Sequence, residues 1–288
     1  MQAKTKKPGF WRDFGLGFRC YGKAFKLLFT TPMGFAFLVP LTLMIVFIIG
    51  GWEVRGLLRD YIDNRLLDIT NLEDAEGFWM EALAWTMQAL IYIILGFLFF
   101  FIFAYFGGYI VVMVMSPVLA LLSEKTEKKL TGNNYKFDIV QLMRDIIRGI
   151  LIALRNLFIE LGFMVAIFIG SFIPVLKWPI AAFGTFFLFF ISAYFYGFSF
   201  MDYSIERRRL SVRESVKLVR KRKGVAIGNG FLFALILLIP VIGVMVSAFF
   251  AVVSSVAGTI AMNEIFEQEE QYRDIPKLNI KNNAIEKN

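Results

Sequence analysis

Histidine is absent from this 288-residue sequence, and cysteine occurs only once, at Cys20. These absences exclude histidine-based catalytic triads, zinc sites made of histidine or several cysteines, haem bound through histidine, and internal disulfides. No other pairing of a nucleophile with a base is evident in the sequence. We therefore expect a protein that is not an enzyme and that has no metal site and no cofactor.

Charge is missing from long stretches of the chain, and residues 82–123 contain no Lys, Arg, Asp or Glu. The composition is 58% hydrophobic with 33 phenylalanines, and the mean hydropathy is +0.63. A membrane-spanning helix needs about 20 apolar residues. We predict an all-α fold: a polytopic helical membrane protein with two long transmembrane helices, two membrane-inserted helical hairpins that could be re-entrant, and interfacial amphipathic helices.

The formal net charge of +8 is unevenly distributed along the chain. Of the 31 Lys and Arg residues, 27 lie in residues 1–32, 116–156, 202–224 and the C-terminal tail. The other four are Arg55, Arg59, Arg65 and Lys177. Loops rich in Lys and Arg stay in the cytoplasm. We therefore expect a multi-pass protein of the cell inner (cytoplasmic) membrane, with both termini cytoplasmic and residues 53–81 outside.

The same charge distribution indicates which partners to expect. Basic segments next to apolar runs bind the lipid bilayer through its anionic headgroups, so we do not interpret the net charge as nucleic-acid binding. Residues 1–8 are a basic tail, and the first 18 residues have no apolar core, so no cleavable signal peptide is expected.

The pattern divides the single membrane domain, residues 1–288, into six segments. Each boundary follows a change in charge, periodicity or hydrophobicity along the chain. The segments are an interfacial helix (1–31), two long helices (32–132), a first hairpin unit (137–201), a basic surface helix (202–224), a second hairpin (225–265) and a polar tail (266–288).

Within the charge-free region, Ser116-Pro117 predicts the cap and first residue of a new or redirected helix, and Gly132 predicts its stop. Ala104, Gly107 and Gly108 form a small surface that another helix could approach closely, or else a lipid-facing kink.

The hairpins come from an internal repeat, in which Ile173-Pro174-Val175 recurs as Ile239-Pro240-Val241. The first arms, residues 157–173 and 225–239, are short for a full crossing, and the tips are nearly uncharged. We infer hairpins that enter from one side and turn inside, or barely beyond, the bilayer. Residues 174–179 and 239–242 would then not be exposed external loops.

Candidate substrate-binding residues follow from polar groups placed near apolar runs. Arg144, Arg148 and Arg155 share one helix face, which is either a headgroup-facing surface or a vestibule that attracts anions. Glu160 and Asn229 lie at membrane depth, where ionisable and polar residues are functional candidates. The alternative is that Arg155 extends to the headgroups and that Glu160 pairs with it or with a neighbour.

Several motifs together resemble a known family. Residues 202–212, DYSIERRRLSV, resemble the Asp-Tyr-Pro-x-x-Arg-Arg-x-x-Ser-Phe segment of the CysZ sulfate transporter and etoposide-induced protein 2.4 family. Ser116-Pro117 with Glu124 and Gly132 resembles its long-helix exit, and residues 239–240 and 256–259 resemble its C-terminal hairpin. The resemblance covers about residues 12–265. It implies two long transmembrane helices, two pairs of membrane-penetrating helices, homo-oligomers around a shared pathway, and sulfate as the substrate of bacterial members.

The sequence departs from this family at its anion site. The family has a Gly-Leu-Arg-Arg-like stretch after a proline, and the matching residues here are Gly34-Phe35-Ala36-Phe37. Gly34 is retained as a candidate, but the arginines are lost, which argues against sulfate selectivity by that route. We therefore keep two functions: a transporter or channel-like protein for a small solute, with an inorganic anion such as sulfate as candidate, and a membrane scaffold or membrane-shaping protein with no pathway.

The predicted orientation can be tested by cysteine accessibility. A membrane-impermeant thiol reagent added outside intact cells should label a cysteine placed at Asn71 and should not label one placed at Asn134. The opposite labelling pattern would reverse the orientation derived from the charges.

Overall fold

The computed structural model describes residues 9–46, 49, 53, 56, 78–132, 139–173, 177–208, 210–239 and 242–268, and within them the chain forms helices and no strand. The helices are α1 (Phe10–Thr30), a 3₁₀ segment (Pro32–Phe37) continuing into α2 (residues 38–46), α3 (Phe78–Thr131), α4 (Ile139–Gly170), α5 (Lys177–Glu206), α6 (Val212–Lys221), α7 (Lys223–Leu237) and α8 (Ile242–Gln268). Most of the segment predicted to lie outside the cell, residues 57–77, is outside the described residues, as are the tips at 174–176 and 240–241.

Four helical stretches of the described chain are long and apolar enough to cross a membrane. A fifth span is possible if α1 and the helix after it, which meet at 97°, are counted together. The prediction of an all-α polytopic membrane protein is confirmed. The four stretches are Phe106–Thr131, Met143–Gly170, Trp178–Glu206 and Ile242–Gln268.

Helix α3 corrects the prediction of a new helix at Ser116-Pro117. It continues through Pro117 as one helix of 54 residues. Ser116 is buried and accepts a hydrogen bond from the Tyr203 hydroxyl at 3.1 Å, so its side chain links two helices and does not cap one. Proline is tolerated inside membrane helices when neighbouring groups satisfy the freed backbone. The stop at Gly132 is confirmed, because this glycine has a φ of 70°.

Helix α1 is more deeply buried in the bundle than the predicted interfacial helix would be. One face of α1 is exposed and aromatic, with Trp11 and Phe18, but the opposite face packs against α7 and α8. Tyr21 is buried, and its hydroxyl donates to the Asn229 carbonyl oxygen and bonds Ser254 Oγ at 2.8 Å. The helix is therefore part of the core.

The first hairpin arm is longer than predicted, because it forms one helix with the preceding segment. That segment carries the helix face of Arg144, Arg148 and Arg155, which we call the basic stripe. Helix α4 has 32 residues, so the argument that this arm is too short to cross does not hold. In the second hairpin α7 has only 15 residues and α8 has 27, so the short first arm remains there.

The basic surface helix is also shorter than the predicted 202–224. Asp202 to Glu206 complete α5, and α6 covers only Val212–Lys221. Its capping box is present: Ser211 and Glu214 exchange hydrogen bonds between side chain and backbone. The bonds donated by the Ser211 hydroxyl and backbone N–H hold the pKa of Glu214 below its usual value.

Glycines set the distance between the helices that surround α7. Gly230 of α7 lies against the backbone of Ala193 in α5, and Gly197 of α5 lies against the backbone of Ala226. A Cβ atom at either glycine would overlap a carbonyl oxygen of the other helix. Small residues allow membrane helices to approach this closely. The small surface predicted in α3 is confirmed at Gly107 and Gly108, which face side chains of α8, α7 and α5.

The contact between α5 and α7 should be sensitive to one added methyl group. Gly230→Ala should lower the stability of the protein by about 1–3 kcal/mol, since the methyl group forces two backbones apart. Gly22→Ala is the matched control, because no atom lies within 4 Å of its added Cβ. Thermal unfolding of the purified protein in detergent measures both changes, and equal midpoints for the two variants would contradict the packing described here.

Candidate functional site

Arg148 joins the predicted basic stripe to α5 and α6. Its guanidinium binds both carboxylate oxygens of Asp202, at 2.8 and 3.1 Å, and also donates to Ser215 Oγ and to the Leu210 carbonyl oxygen. Glu206 lies 3.7 Å away. With two acidic neighbours and four acceptors, Arg148 links three parts of the chain and has little positive charge to offer a ligand.

Two further arginines of the predicted surface helix are buried in similar contacts. Arg207 pairs with Glu127 of α3 at 2.6 Å and also donates to Ser123. Arg222 pairs with Asp13 of α1 at 3.5 Å and donates to Gln268 of α8. We call the three pairs Arg148–Asp202, Arg207–Glu127 and Arg222–Asp13 the charged layer.

The charged layer gathers helix ends at one end of the bundle. It lies near the C-terminal ends of α3, α5 and α8 and near the N-terminal ends of α1, α6 and α7. Arg208, from the same basic run, stacks over the Phe266 ring at 3.8 Å from its centroid. These contacts correct the expectation that residues 202–224 as a whole face lipid headgroups. The exposed cations among the described residues of that segment are Arg213, Lys217, Arg220, Lys221 and Lys223.

Glu160 lies deeper in the bundle, in contact with two other helices. Its carboxylate accepts hydrogen bonds from the hydroxyls of Tyr109 in α3 and Ser192 in α5. The side chain is 3% exposed, and within the described part of the chain it forms no ion pair. Of the two options that the sequence left open, pairing with Arg155 or with a neighbour, the structure shows contacts with neighbours on other helices.

A cavity of about 510 Å³ opens beside Glu160. Apart from Glu160, Thr185, Ser192 and Tyr196, its lining residues are hydrophobic, and no described lining residue carries a positive charge. They come from α4, α5 and α7. The hydrophobic members are Phe186, Leu188, Phe189, Phe190, Phe231, Ala234, Leu235, Leu237 and Leu238.

Arg155 differs from the other arginines of the stripe. Its side chain is half-buried, and its guanidinium donates to the Asn156 side-chain oxygen at 3.1 Å. The described residues place no carboxylate within ion-pair distance of it, while Arg144 is exposed. Arg155 therefore combines partial burial with free donors.

Asn229 lies on α7, in the core of the bundle and away from the basic stripe. Its backbone carbonyl accepts from Tyr21, whereas its side-chain amide has no hydrogen-bond partner among the described residues. It is fully buried, and a Cβ at Gly258 would lie 3.0 Å from its Nδ2. Asn229 is thus a packed core residue, and it does not line the cavity beside Glu160.

Gly34 lies in the 3₁₀ segment that begins at Pro32. The neighbouring Phe35 ring is covered by Lys125 of α3, with Nζ 4.2 Å from the ring centroid. Residues 34–37 lack the arginines that the family has in this stretch, and the structure places the cation of Lys125 beside it. Sequence reasoning missed Lys125, because about 90 residues separate it from Phe35 and no local pattern links them.

The six candidate residues do not form one site. Arg148 belongs to the charged layer, Arg144 is exposed, Arg155 and Glu160 lie at different depths of α4, and Asn229 and Gly34 lie elsewhere. Tyr109, Ser192 and Tyr196, which surround Glu160, were not predicted, since single hydroxyls in apolar runs carry no periodic signal.

Several apolar spans, buried interhelical ion pairs and a carboxylate at membrane depth together define an integral membrane protein of the polytopic α-helical class. Residues 20–247 match the model of one family, described as Sulfate transporter CysZ/Etoposide-induced protein 2.4. The chain belongs to this family, as the sequence motifs predicted, and the family indicates a transporter-like role in the membrane.

The role of Arg148 as a structural residue can be tested by removing its charge. Arg148→Gln should lower stability by about 3 kcal/mol, because it leaves Asp202 buried without its partner. The exposed Arg144→Gln should change stability by less than about 0.5 kcal/mol. Thermal unfolding in detergent compares the two variants.

The double variant Arg148→Gln/Asp202→Asn supplies the control for this pair. It should lose less stability than the two single changes added together, because the second change removes the unpaired charge. Full additivity would mean that the pair does not interact energetically.

Proposed function

We propose that this chain is a transporter or channel-like protein for a small solute, and that an inorganic anion such as sulfate is the solute. Its family membership favours transport. The proposal places the protein in the cell inner membrane with both termini cytoplasmic, so that the charged layer would face the cytoplasm.

The half-buried guanidinium of Arg155, which forms no ion pair with a described residue, supports an anionic solute. Arginine keeps its charge at any accessible pH and can hold a tetrahedral oxyanion through two donors. Arg148 is bound to Asp202, whereas Arg155 uses a neutral acceptor, Asn156, and keeps other donors available. Lys125 beside Phe35 is a second source of positive charge, outside the stripe.

The alternative function is a membrane scaffold with no transport pathway. The charged layer supports it, because three arginines of the basic end are held by carboxylates and cannot attract an anion. The exposed aromatic face of α1 and the exposed cations of α6 give such a protein a surface for anionic headgroups.

Sulfate flux into liposomes distinguishes the two functions. Wild-type protein should carry radiolabelled sulfate faster than empty liposomes do. Arg155→Gln should reduce the rate about tenfold or more, since a charge-assisted hydrogen bond to the anion contributes about 1.5–3 kcal/mol. Arg144→Gln is the matched control on the same helix face, and it should weaken flux mainly at low salt.

Two outcomes would contradict this proposal. Equal rates for Arg155→Gln and wild type would remove Arg155 from the pathway. Wild-type protein that passes neither sulfate nor chloride above the empty-liposome rate, under any gradient, would favour the scaffold. Lys125→Gln, measured in the same assay, tests the second source of positive charge.

A further inference from the structure

The cavity beside Glu160 contains a carboxyl group that forms no ion pair with any described residue. The hydroxyls of Tyr109 and Ser192 orient the carboxylate, but both are neutral. Among described residues the titratable groups that face it are Tyr109 from α3 and Tyr196 from α5, and the cavity-lining residues of α7 are all apolar. A carboxylate at membrane depth is costly unless a cation or a proton accompanies it.

The two arginines of α4 nearest to Glu160 do not supply that cation. Arg148 lies 12 residues before Glu160 on α4, which is about 18 Å along a helix axis at about 1.5 Å per residue. Arg155 is nearer, but it donates to Asn156 and forms no ion pair with Glu160. No described Lys or Arg forms an ion pair with Glu160, so its charge is balanced by a proton or by a cation from outside the described residues.

The walls of the cavity favour a particular kind of cation. Four phenylalanines and Tyr196 line it, and the faces of aromatic rings attract cations, especially desolvated ones. Its volume of about 510 Å³ lies within the range of sites for drug-sized organic molecules. A small hydrated metal ion would find few oxygen ligands there, because Glu160, Ser192 and Thr185 are the main polar lining groups apart from Tyr196.

The rim of the cavity also indicates the route of entry. Phe186 and Leu238 at the rim are 68% and 61% exposed, and they belong to the apolar surface of the bundle. In a membrane protein such a surface contacts lipid, so a ligand that dissolves in the bilayer can reach the carboxylate without crossing the charged layer.

We propose that this cavity is a binding site for a lipophilic organic cation, with its positive charge beside the Glu160 carboxylate and its apolar groups against the phenylalanine rings. The site is distinct from the anion site proposed at Arg155, and the inference stands whether or not the protein transports sulfate. An anion of the same size and shape would be excluded by the charge of Glu160.

Two probes of matched size and opposite charge test the proposal: tetraphenylphosphonium and tetraphenylborate. Each is titrated into purified protein in nanodiscs of zwitterionic lipid, and binding to empty nanodiscs is subtracted. Wild-type protein should bind the phosphonium saturably with one site and should not bind the borate. Glu160→Gln should raise the Kd for the phosphonium at least about tenfold, because it removes the partner of a desolvated charge.

Three further variants keep the test independent of folding. Glu160→Asp retains the charge and should restore most of the affinity that the Gln variant loses. Ser192→Ala retains the carboxylate and should cause a smaller loss. Glu214→Gln removes an exposed carboxylate outside the cavity and should bind as wild type does.

The proposal is overturned if wild-type protein binds the two probes equally, if it binds neither, or if Glu160→Gln and Glu214→Gln bind the phosphonium with the same affinity. Because binding is measured without flux, these outcomes are separate from the failure of sulfate transport.

Discussion

The arrangement of the bundle depends on the pairing of arginines with carboxylates where the helices end. Arg148, Arg207 and Arg222 each join parts of the chain that are distant in sequence, and each is largely buried. Leaving one charge of such a pair alone costs far more than the intact pair contributes. The pairs therefore select the native arrangement mainly by destabilising the alternatives. A bundle that separates Glu127 from Arg207, for example, would bury two unpaired charges.

Away from the charged layer, close contact replaces charge as the determinant of packing. Helix α7 has only 15 residues and therefore a small contact surface. Its glycines let its backbone contact the backbones of α1 and α5 directly. In lipid there is no hydrophobic drive between helices, so such close contacts carry the association. Around Tyr196 and Phe231 the helices carry bulky aromatic side chains in place of glycine, and the cavity beside Glu160 opens there.

The sequence predicted what depends on local pattern. Apolar run lengths predicted a helical membrane protein, and Gly132 predicted a helix stop. Partners across the fold were not predictable, because nothing local to Arg148 distinguishes an arginine that binds Asp202 from one that faces headgroups. The prediction at Pro117 was wrong for the same reason. Whether a proline ends a membrane helix depends on whether neighbouring helices supply hydrogen bonds to the freed backbone groups.

The distribution of charge separates two regions that the sequence placed together. Arg155 and Glu160 are five residues apart, which suggested one site, but along α4 they turn to different neighbours: Arg155 to Asn156, and Glu160 to Tyr109 and Ser192. A cation on the first and an uncompensated carboxylate in the second give opposite electrostatic preferences within about 7.5 Å of helix axis. A single anion path through both would have to pass an aromatic cavity that carries a like charge. Under the two proposals made above, α4 carries two binding regions, and each selects its ligand by the sign of the charge.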